Sequence, residues 1–163
     1  MRNTQHATFT IERTFAAPVA MVFEAWASRD AKARWFSPPV DWKDVVREHN
    51  FYVGGCDRSK GTWPDGHTSD FKAQYWDIVP NARIVYVYDM HIDGKRISVS
   101  LATVEFEEAA KGTRMTVTEQ GAFLDGYDDG GERERGTNFL MDKLVASVDE
   151  KIERHKDDER TNT

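Results

Sequence analysis

The order in which apolar residues change their spacing constrains the fold of this chain more than any other feature. A strand-like alternation comes first, and two short helical stretches follow it. A long run of further alternation fills the middle, and one amphipathic helix ends the chain. A helix in that position must bury its apolar stripe against the preceding strands. We therefore expect an α+β protein in which one curved sheet wraps around one long helix.

The first part of the chain predicts one strand and two short helices. Ala7 to Phe15 alternates apolar and polar residues, as a half-buried strand does. From Val19 to Ala27 apolar residues recur at helical spacing, directly after Pro18, which suits the start of a helix. Ser28 is a typical N-cap residue for a second helix, which we expect from Arg29 to Phe36.

Turn signals divide the middle of the chain into antiparallel strands. Pro64-Asp65-Gly66, Asp93-Gly94 and Lys111-Gly112 are sequences typical of tight turns. The predicted strands that follow the first one are Trp42–His49, Ser69–Val79, Arg83–His91, Arg96–Glu107 and Thr113–Gln120. We expect an antiparallel sheet of about six or seven strands.

The last helix carries a stripe that changes character along its length. At about 100° per residue, the apolar residues from Leu140 to Ile152 share one face. Continued towards the start of the helix, the same face contains Thr137, Glu134 and Arg133. The later turns are therefore expected to pack against the sheet, and the first turn is expected to face something polar or wet.

Strand parity predicts the residues that face this helix. On Thr113–Gln120, placing Met115 and Val117 inward also places Glu119 inward. On Arg83–His91, the tyrosine face carries no charge and is therefore predicted to be the inner one. The predicted lining of a cavity between sheet and helix is Trp35, Tyr75, Tyr86, Tyr88, Met115, Val117, Glu119, Glu134, Thr137 and Met141.

Length and composition limit the class of protein. The 163 residues suffice for a single domain, expected over residues 7–154, with flexible termini at 1–6 and 155–163. The single cysteine, Cys56, excludes an internal disulfide and favours a cytoplasmic location. No apolar run approaches the roughly 20 residues of a membrane span, so no membrane partner is expected. A net charge of −6, with scattered Lys and Arg, argues against a nucleic-acid partner.

No cofactor or metal is expected from the motifs. The chain has neither a dinucleotide-binding glycine fingerprint nor a phosphate-binding loop. The acidic segment from Asp125 to Glu132 fails the calcium-loop template, because Tyr127 takes its third position and Gly136 its twelfth. We interpret it as a loop that leads into the last helix, with Asp129 as a candidate cap.

Several segments, taken in order, resemble a known family over Ala7 to Glu153. They are Phe9–Phe15, Ala17–Trp26, Ala33–Phe36, Val53–Gly55, Asp77–Pro80, Arg83–Tyr86, Gly112–Arg114 and Leu140–Leu144. Together they resemble the domain named after activators of the ATPase of the ninety-kilodalton heat-shock chaperone. That domain belongs to the START-related, or SRPBCC, superfamily, which has a helix-grip fold. Thr118–Gly126 and Arg133–Thr137 are similar to a bacterial subgroup described as polyketide-cyclase-like.

The resemblance implies a deep cavity that relatives use to bind apolar or amphipathic small molecules. Most members of the family lack an assigned reaction. The broader family commonly has Trp after the helical glycine, where this chain has Thr137, so the resemblance implies a wider cavity here. The extra segments with which true chaperone activators engage their partner are not expected in this chain, and neither is a chaperone partner.

Three hypotheses for the function remain at this point. The first is a binding domain for a hydrophobic or amphipathic ligand, oriented by Glu119, Thr137 and Tyr88. The second is a cyclase- or hydratase-like enzyme that uses Glu119 as its acid or base, unless Glu119 and Glu134 only form a structural salt bridge with Arg133. The third is an interaction module, either a chaperone co-factor or a homodimer formed through an exposed Phe139.

Overall fold

The computed structural model describes residues 2–127 and 131–163, which form a curved antiparallel sheet and three helices. The elements are β1 (Thr4–Phe15), α1 (Val19–Ala27), α2 (Arg29–Ala33), β2 (Lys43–His49), β3 (Cys56–Thr62), β4 (Thr68–Val79), β5 (Arg83–Ile92), β6 (Lys95–Ala109), β7 (Gly112–Leu124) and α3 (Glu132–Thr161). The predicted class is confirmed: the chain is an α+β protein with a helix-grip-like fold.

Hairpins connect the strands from β2 to β7, and β1 closes the other edge. The strand order is β1-β7-β6-β5-β4-β3-β2. The β5–β6 hairpin turns at Asp93 and Gly94, whose φ angles of 50° and 76° suit the tight turn that this dipeptide predicts. Since α1 and α2 connect β1 to β2, they carry the chain from one edge of the sheet to the other.

The core lies between the sheet, α1 and the middle of α3. One row of opposed inner side chains crosses four strands and is almost completely buried; it contains Ile84, Val104, Val117 and Ile11. From α3, Met141, Leu144 and Val148 pack against this core, as the apolar stripe predicts. From α1, Val22, Phe23 and Trp26 fill the adjoining space. The middle of α3 is thus the part of the helix that the sheet holds.

The inner face of β6 changes from large to small side chains along the strand. Val104 and Phe106 fill the core, whereas Ala102, Ser100 and Ser98 follow on the same face. Ser100 is opposite Gly121 on β7, where even a Cβ atom would lie 3.0 Å from the Ser100 hydroxyl. Small side chains therefore occupy the part of the sheet that faces the first turns of α3. The Arg133 side chain of α3 bonds Ser98 and Ser100 there.

Two short elements differ from the prediction. β3 was not predicted, because its sequence contains no large apolar residue and shows no apolar alternation. It forms because β2 and β4 pair with it on both sides. The second helix ends at Ala33 rather than Phe36, since the amides of Arg34 and Trp35 bond three residues back and tighten the last turn.

The termini are more ordered than the sequence predicted. β1 already begins at Thr4, which is opposite Leu124 of β7, so the expected flexible start is wrong for residues 4–6. α3 continues to Thr161, although its side chains from Glu153 onwards are exposed. Charged residues of high helix propensity sustain this last stretch without packing. Among the described residues, no helix combines the length and apolar character needed to cross a membrane.

The packing of α3 predicts that two large apolar residues on it differ strongly in their contribution to stability. Leu144 is completely buried, whereas Phe139 is 65% exposed. Leu144→Ala should lower the free energy of unfolding by about 2–5 kcal/mol, because it leaves a cavity. Phe139→Ala should change it by less than about 0.5 kcal/mol. Urea unfolding at neutral pH measures both, and equal effects would contradict this packing.

Candidate functional site: a cavity beneath the last helix

A cavity of about 960 Å³ lies between the first turns of α3, the inner face of the sheet and the segment after α2. Tyr86, Tyr88 and Val117 form part of its floor, and Thr137 and Met141 of α3 cover it. The cavity lies beside the first turns of α3, beyond the part of the helix that packs tightly against the core.

Seven of the ten residues predicted to line the cavity do so: Trp35, Tyr86, Tyr88, Val117, Glu119, Thr137 and Met141. Tyr75 and Met115 are buried in the core instead. Glu134 is exposed, so its predicted place in the cavity is wrong. It lies about 100° around the helix from Arg133, and at the first turn that rotation points its side chain to solvent.

Glu119 is the central polar group of the cavity. It lies on β7 and is only 4% exposed. Tyr88 donates a hydrogen bond to it and accepts one from Arg133 Nη1 at 3.1 Å. Burial raises the pKa of Glu119 above its ordinary value, and the hydrogen bonds from Tyr88 and Thr137 and the charge of Arg133 only partly oppose this rise.

The Thr137 hydroxyl lies between two acceptors. It is 2.9 Å from the carbonyl oxygen of Arg133 and 3.2 Å from Glu119 Oε2. A hydroxyl has one proton and can donate it to only one of these oxygens at a time. A bond from Thr137 to Glu119 stabilises the carboxylate, so Thr137 opposes the effect of burial on the pKa of Glu119.

Arg133 joins the first turn of α3 to the sheet across the cavity. Its Nη2 donates to Ser98 Oγ at 2.8 Å, and its Nη1 is 3.4 Å from Ser100 Oγ. The guanidinium carbon lies 5.5 Å from the centre of the Tyr88 ring and 5.1 Å from that of Phe123. The start of the helix is therefore connected to the sheet by polar and cation–π contacts, with space left between them.

A second buried polar cluster, which sequence reasoning missed, lies at another wall of the cavity. Lys32 of α2 donates to Asp57 Oδ2 of β3, and both residues are almost completely buried. Asp57 Oδ2 also accepts from the Tyr75 hydroxyl at 2.8 Å and lies 3.2 Å from His49 Nδ1. His49 Nε2 is 2.9 Å from the carbonyl oxygen of Ala27, so both ring nitrogens of His49 lie against acceptors. Lys32 also lines the cavity.

The partners of Asp57 determine the charge state of this cluster. Burial alone would raise the pKa of Asp57, but hydrogen bonds from His49, Lys32 and Tyr75 and the charge of Lys32 hold it well below its usual range. Burial lowers the pKa of Lys32, and the charge of Asp57 opposes that effect. Because Asp57 stays ionised, its carboxylate compensates the charge of the buried lysine.

Other polar residues that the sequence contains lie outside this cavity. His67 Nδ1 is 2.7 Å from Asp93 Oδ2 in an exposed turn region, and Cys56 is exposed. In the described ranges, no group of three or more His, Cys, Asp or Glu residues could hold a metal ion. Asp129, the candidate cap of α3, lies outside the described residues.

The raised pKa of Glu119 predicts a pH-dependent effect of Glu119→Gln. Since the folded state disfavours the ionised carboxyl, wild-type stability should fall as pH rises from the unfolded pKa, about 4.3, through the raised folded pKa. Glu119→Gln has no ionisable group at this position and lacks this loss. The free energy of unfolding of the variant, minus that of wild type, should therefore be larger at pH 8 than at pH 4. Urea unfolding at both pH values measures the difference. The matched control is Glu105→Gln, on the exposed face of β6; the same pH response in both variants would contradict the role of burial.

The buried cluster predicts a large difference between two aspartates on neighbouring strands. Asp57→Ala leaves Lys32 without its carboxylate and should lower the free energy of unfolding by about 3–5 kcal/mol. Asp70, which pairs with a partly exposed Arg58, is the matched control. Asp70→Ala should cost at most about 1 kcal/mol. Urea unfolding at pH 7 compares them, and similar losses would refute a buried pair at Asp57.

Comparison with known proteins supports the fold that the geometry shows. The family model for activator of Hsp90 ATPase homolog 1-like protein matches residues 16–149. A solved protein from Rhizobium leguminosarum is 43% identical, with 92% of this chain and 99% of that chain covered and a TM-score of 0.88. The Mll3558 protein from Rhizobium loti is 41% identical, with 89% and 99% covered and a TM-score of 0.82.

A more distant structure and a search of curated proteins complete the comparison. The AHSA1-like protein from Aeromonas hydrophila is 22% identical, with 88% and 92% covered and a TM-score of 0.66, a likeness of fold alone. The search of curated proteins found no match. The family match over most of the chain, together with the Rhizobium relatives, leads to one conclusion. The chain belongs to the activator of Hsp90 ATPase homolog 1-like family.

Proposed function

We propose that this protein binds a small hydrophobic or amphipathic molecule in the cavity beneath α3. The observation that carries the proposal is a partly open hollow of about 960 Å³ beneath α3, whereas protein interiors otherwise contain few voids larger than a water molecule. Its volume lies within the range of about 300–1,000 Å³ that small-molecule sites occupy. Binding would draw on the burial of apolar ligand surface, at roughly 25 cal/mol per Å² before ordering costs.

The walls of the cavity suit a ligand with an apolar body and a polar end. Trp35, Val117 and Met141 offer apolar surface, whereas Glu119 and Arg133 are grouped near the start of α3. A few polar groups in an otherwise apolar site are the usual means of fixing the orientation of a ligand. Glu119 and the hydroxyl groups beside it offer hydrogen-bonding positions to a polar group of the ligand.

The rim of the cavity offers a path for an apolar molecule. Val40, which is fully exposed, lies on the segment after α2, and Phe139 projects from α3; both side chains border the cavity. Pro38 and Pro39 precede Val40 and also line the rim. Exposed apolar residues at an opening lower the cost of moving apolar surface from water into the interior. The exposure predicted for Phe139 therefore supports entry of the ligand.

A second candidate function is catalysis with Glu119 as a general acid. The observation that favours it is the raised pKa of a carboxyl group inside a cavity, a property of many catalytic acids. In that case, turnover of a bound substrate would disappear in Glu119→Gln while the variant still binds it. Retention of both binding and turnover in this variant would exclude the acid role.

The cavity predicts that a large side chain at position 137 weakens binding of an uncharged apolar probe. We expect wild-type protein to bind N-phenyl-1-naphthylamine with increased fluorescence. Thr137→Trp would place an indole in the cavity, so its affinity for the probe should fall at least about tenfold, or about 1.4 kcal/mol. Thr161→Trp, at the exposed end of the same helix, is the matched control and should bind as wild type does. Absence of probe binding to wild type, or equal binding by both variants, would contradict the proposal.

A further inference from the structure

Trp26 presents an unused hydrogen-bond donor at the wall of the cavity. The residue lies on α1, is only 2% exposed and lines the cavity. Its Nε1 atom is buried and has no hydrogen-bond acceptor within the described part of the chain. A second indole at this wall, that of Trp35, donates to the carbonyl oxygen of Ala25 at 2.9 Å. A buried N–H without an acceptor costs free energy, and an acceptor from a ligand would remove that cost.

Lys32 presents a second N–H donor at the same wall. Its ammonium group has three N–H bonds; one is directed to Asp57 Oδ2 and one to the Tyr75 hydroxyl at 3.2 Å. The hydroxyl proton of Tyr75 is donated to Asp57, so Tyr75 can accept from Lys32. The further contacts of Nζ are with aromatic rings, at 4.9 Å from the centre of the Phe36 ring and 5.8 Å from that of Tyr75. A ligand oxygen is a stronger acceptor for the third N–H than these rings.

The two side chains lie close together. Lys32 Nζ is 5.9 Å from the centre of the Trp26 ring, and both side chains line the cavity. Two N–H···O bonds of about 2.9 Å that meet at one carbonyl oxygen join nitrogens about 5 Å apart. Asp57, which accepts from Lys32, does not line the cavity. At this wall the cavity therefore borders two side chains that can donate to one ligand oxygen.

The charge balance of the cluster selects the kind of oxygen that these donors can bind. Asp57 already compensates the positive charge of Lys32. A ligand carboxylate would bring a second negative charge close to the first in a buried place, at a high cost in free energy. A carbonyl oxygen is uncharged, and its two lone pairs can accept from both donors.

From this geometry we propose that Trp26 and Lys32 together bind the carbonyl oxygen of an uncharged ketone or ester ligand. The inference rests on the proposed binding function and specifies the class of ligand. Such a molecule would have its carbonyl group against α1 and α2 and other polar substituents near Glu119. The cavity would then bind two oxygen-containing groups at separate positions on an otherwise apolar ligand.

A displacement experiment with matched compounds tests this inference. Bound N-phenyl-1-naphthylamine is displaced by diphenylmethane, benzophenone or diphenylacetate, which carry a methylene, a carbonyl and a carboxylate group. Benzophenone should displace the probe from wild type at a concentration about tenfold lower than diphenylmethane, as expected for hydrogen bonds that include one to a charged donor. Diphenylacetate should be the weakest of the three.

Two variants assign the preference to the two donors. Trp26→Phe removes the indole N–H and keeps an aromatic ring, and Lys32→Met removes the ammonium group. Each should reduce the preference for benzophenone at least about threefold, with little change for diphenylmethane. The matched controls are Trp76→Phe and Lys111→Met, both at exposed positions, which should keep the wild-type preference. Trp26→Phe leaves the buried ion pair intact, so it remains informative if Lys32→Met does not fold.

The outcomes separate this inference from the proposed function. Wild-type protein that binds the probe but does not prefer benzophenone would overturn the carbonyl site and leave the binding function in place. The carbonyl site would also be overturned if Trp26→Phe kept the full preference for benzophenone. The same holds if diphenylacetate displaced the probe from wild type at a lower concentration than benzophenone. If wild type does not bind the probe at all, the proposed function itself fails.

Discussion

The structure depends on a mismatch between α3 and the inner face of the sheet. Leu144 and Val148 pack tightly, and this contact fixes the axis of the helix over the sheet. Towards the start of the helix this tight contact ends, and the cavity lies between α3 and larger inner side chains of β5 and β7, among them Tyr88 and Val117. On β6, the small residues Ser98 and Ser100 leave room for the Arg133 side chain, which bonds both hydroxyls and connects α3 to the sheet.

The two main polar groups inside this domain have different kinds of surroundings. Asp57 gathers three donors around one oxygen, and its carboxylate makes a buried Lys32 tolerable. Glu119 has the opposite surroundings, because burial outweighs its hydrogen bonds and favours the neutral acid. The cavity therefore borders a compensated ion pair at one place and a carboxyl group of raised pKa at another. Both arrangements favour a ligand without net charge.

Local periodicity was sufficient to predict the fold and most of the predicted cavity lining, but not the buried cluster around Lys32 and Asp57. The inward position of Glu119 followed from strand parity, and that of Thr137 from the helical stripe, because both patterns are local. Glu134 was placed wrongly, since one helical step decides between cavity and solvent at an end of the stripe. The Lys32–Asp57 pair was missed because it joins a charged short helix to a strand without apolar alternation. Only the pairing of β3 with its neighbours, which is a tertiary effect, places Asp57 inside.

The central claim is that an apolar ligand surface is buried inside the domain, and the heat capacity change of binding tests it most directly. Calorimetric titration with N-phenyl-1-naphthylamine between 15 and 35 °C would provide this quantity. Burial in the cavity predicts one site per chain and a clearly negative heat capacity change, because apolar surface leaves water. A heat capacity change near zero, or several weak sites per chain, would contradict the account.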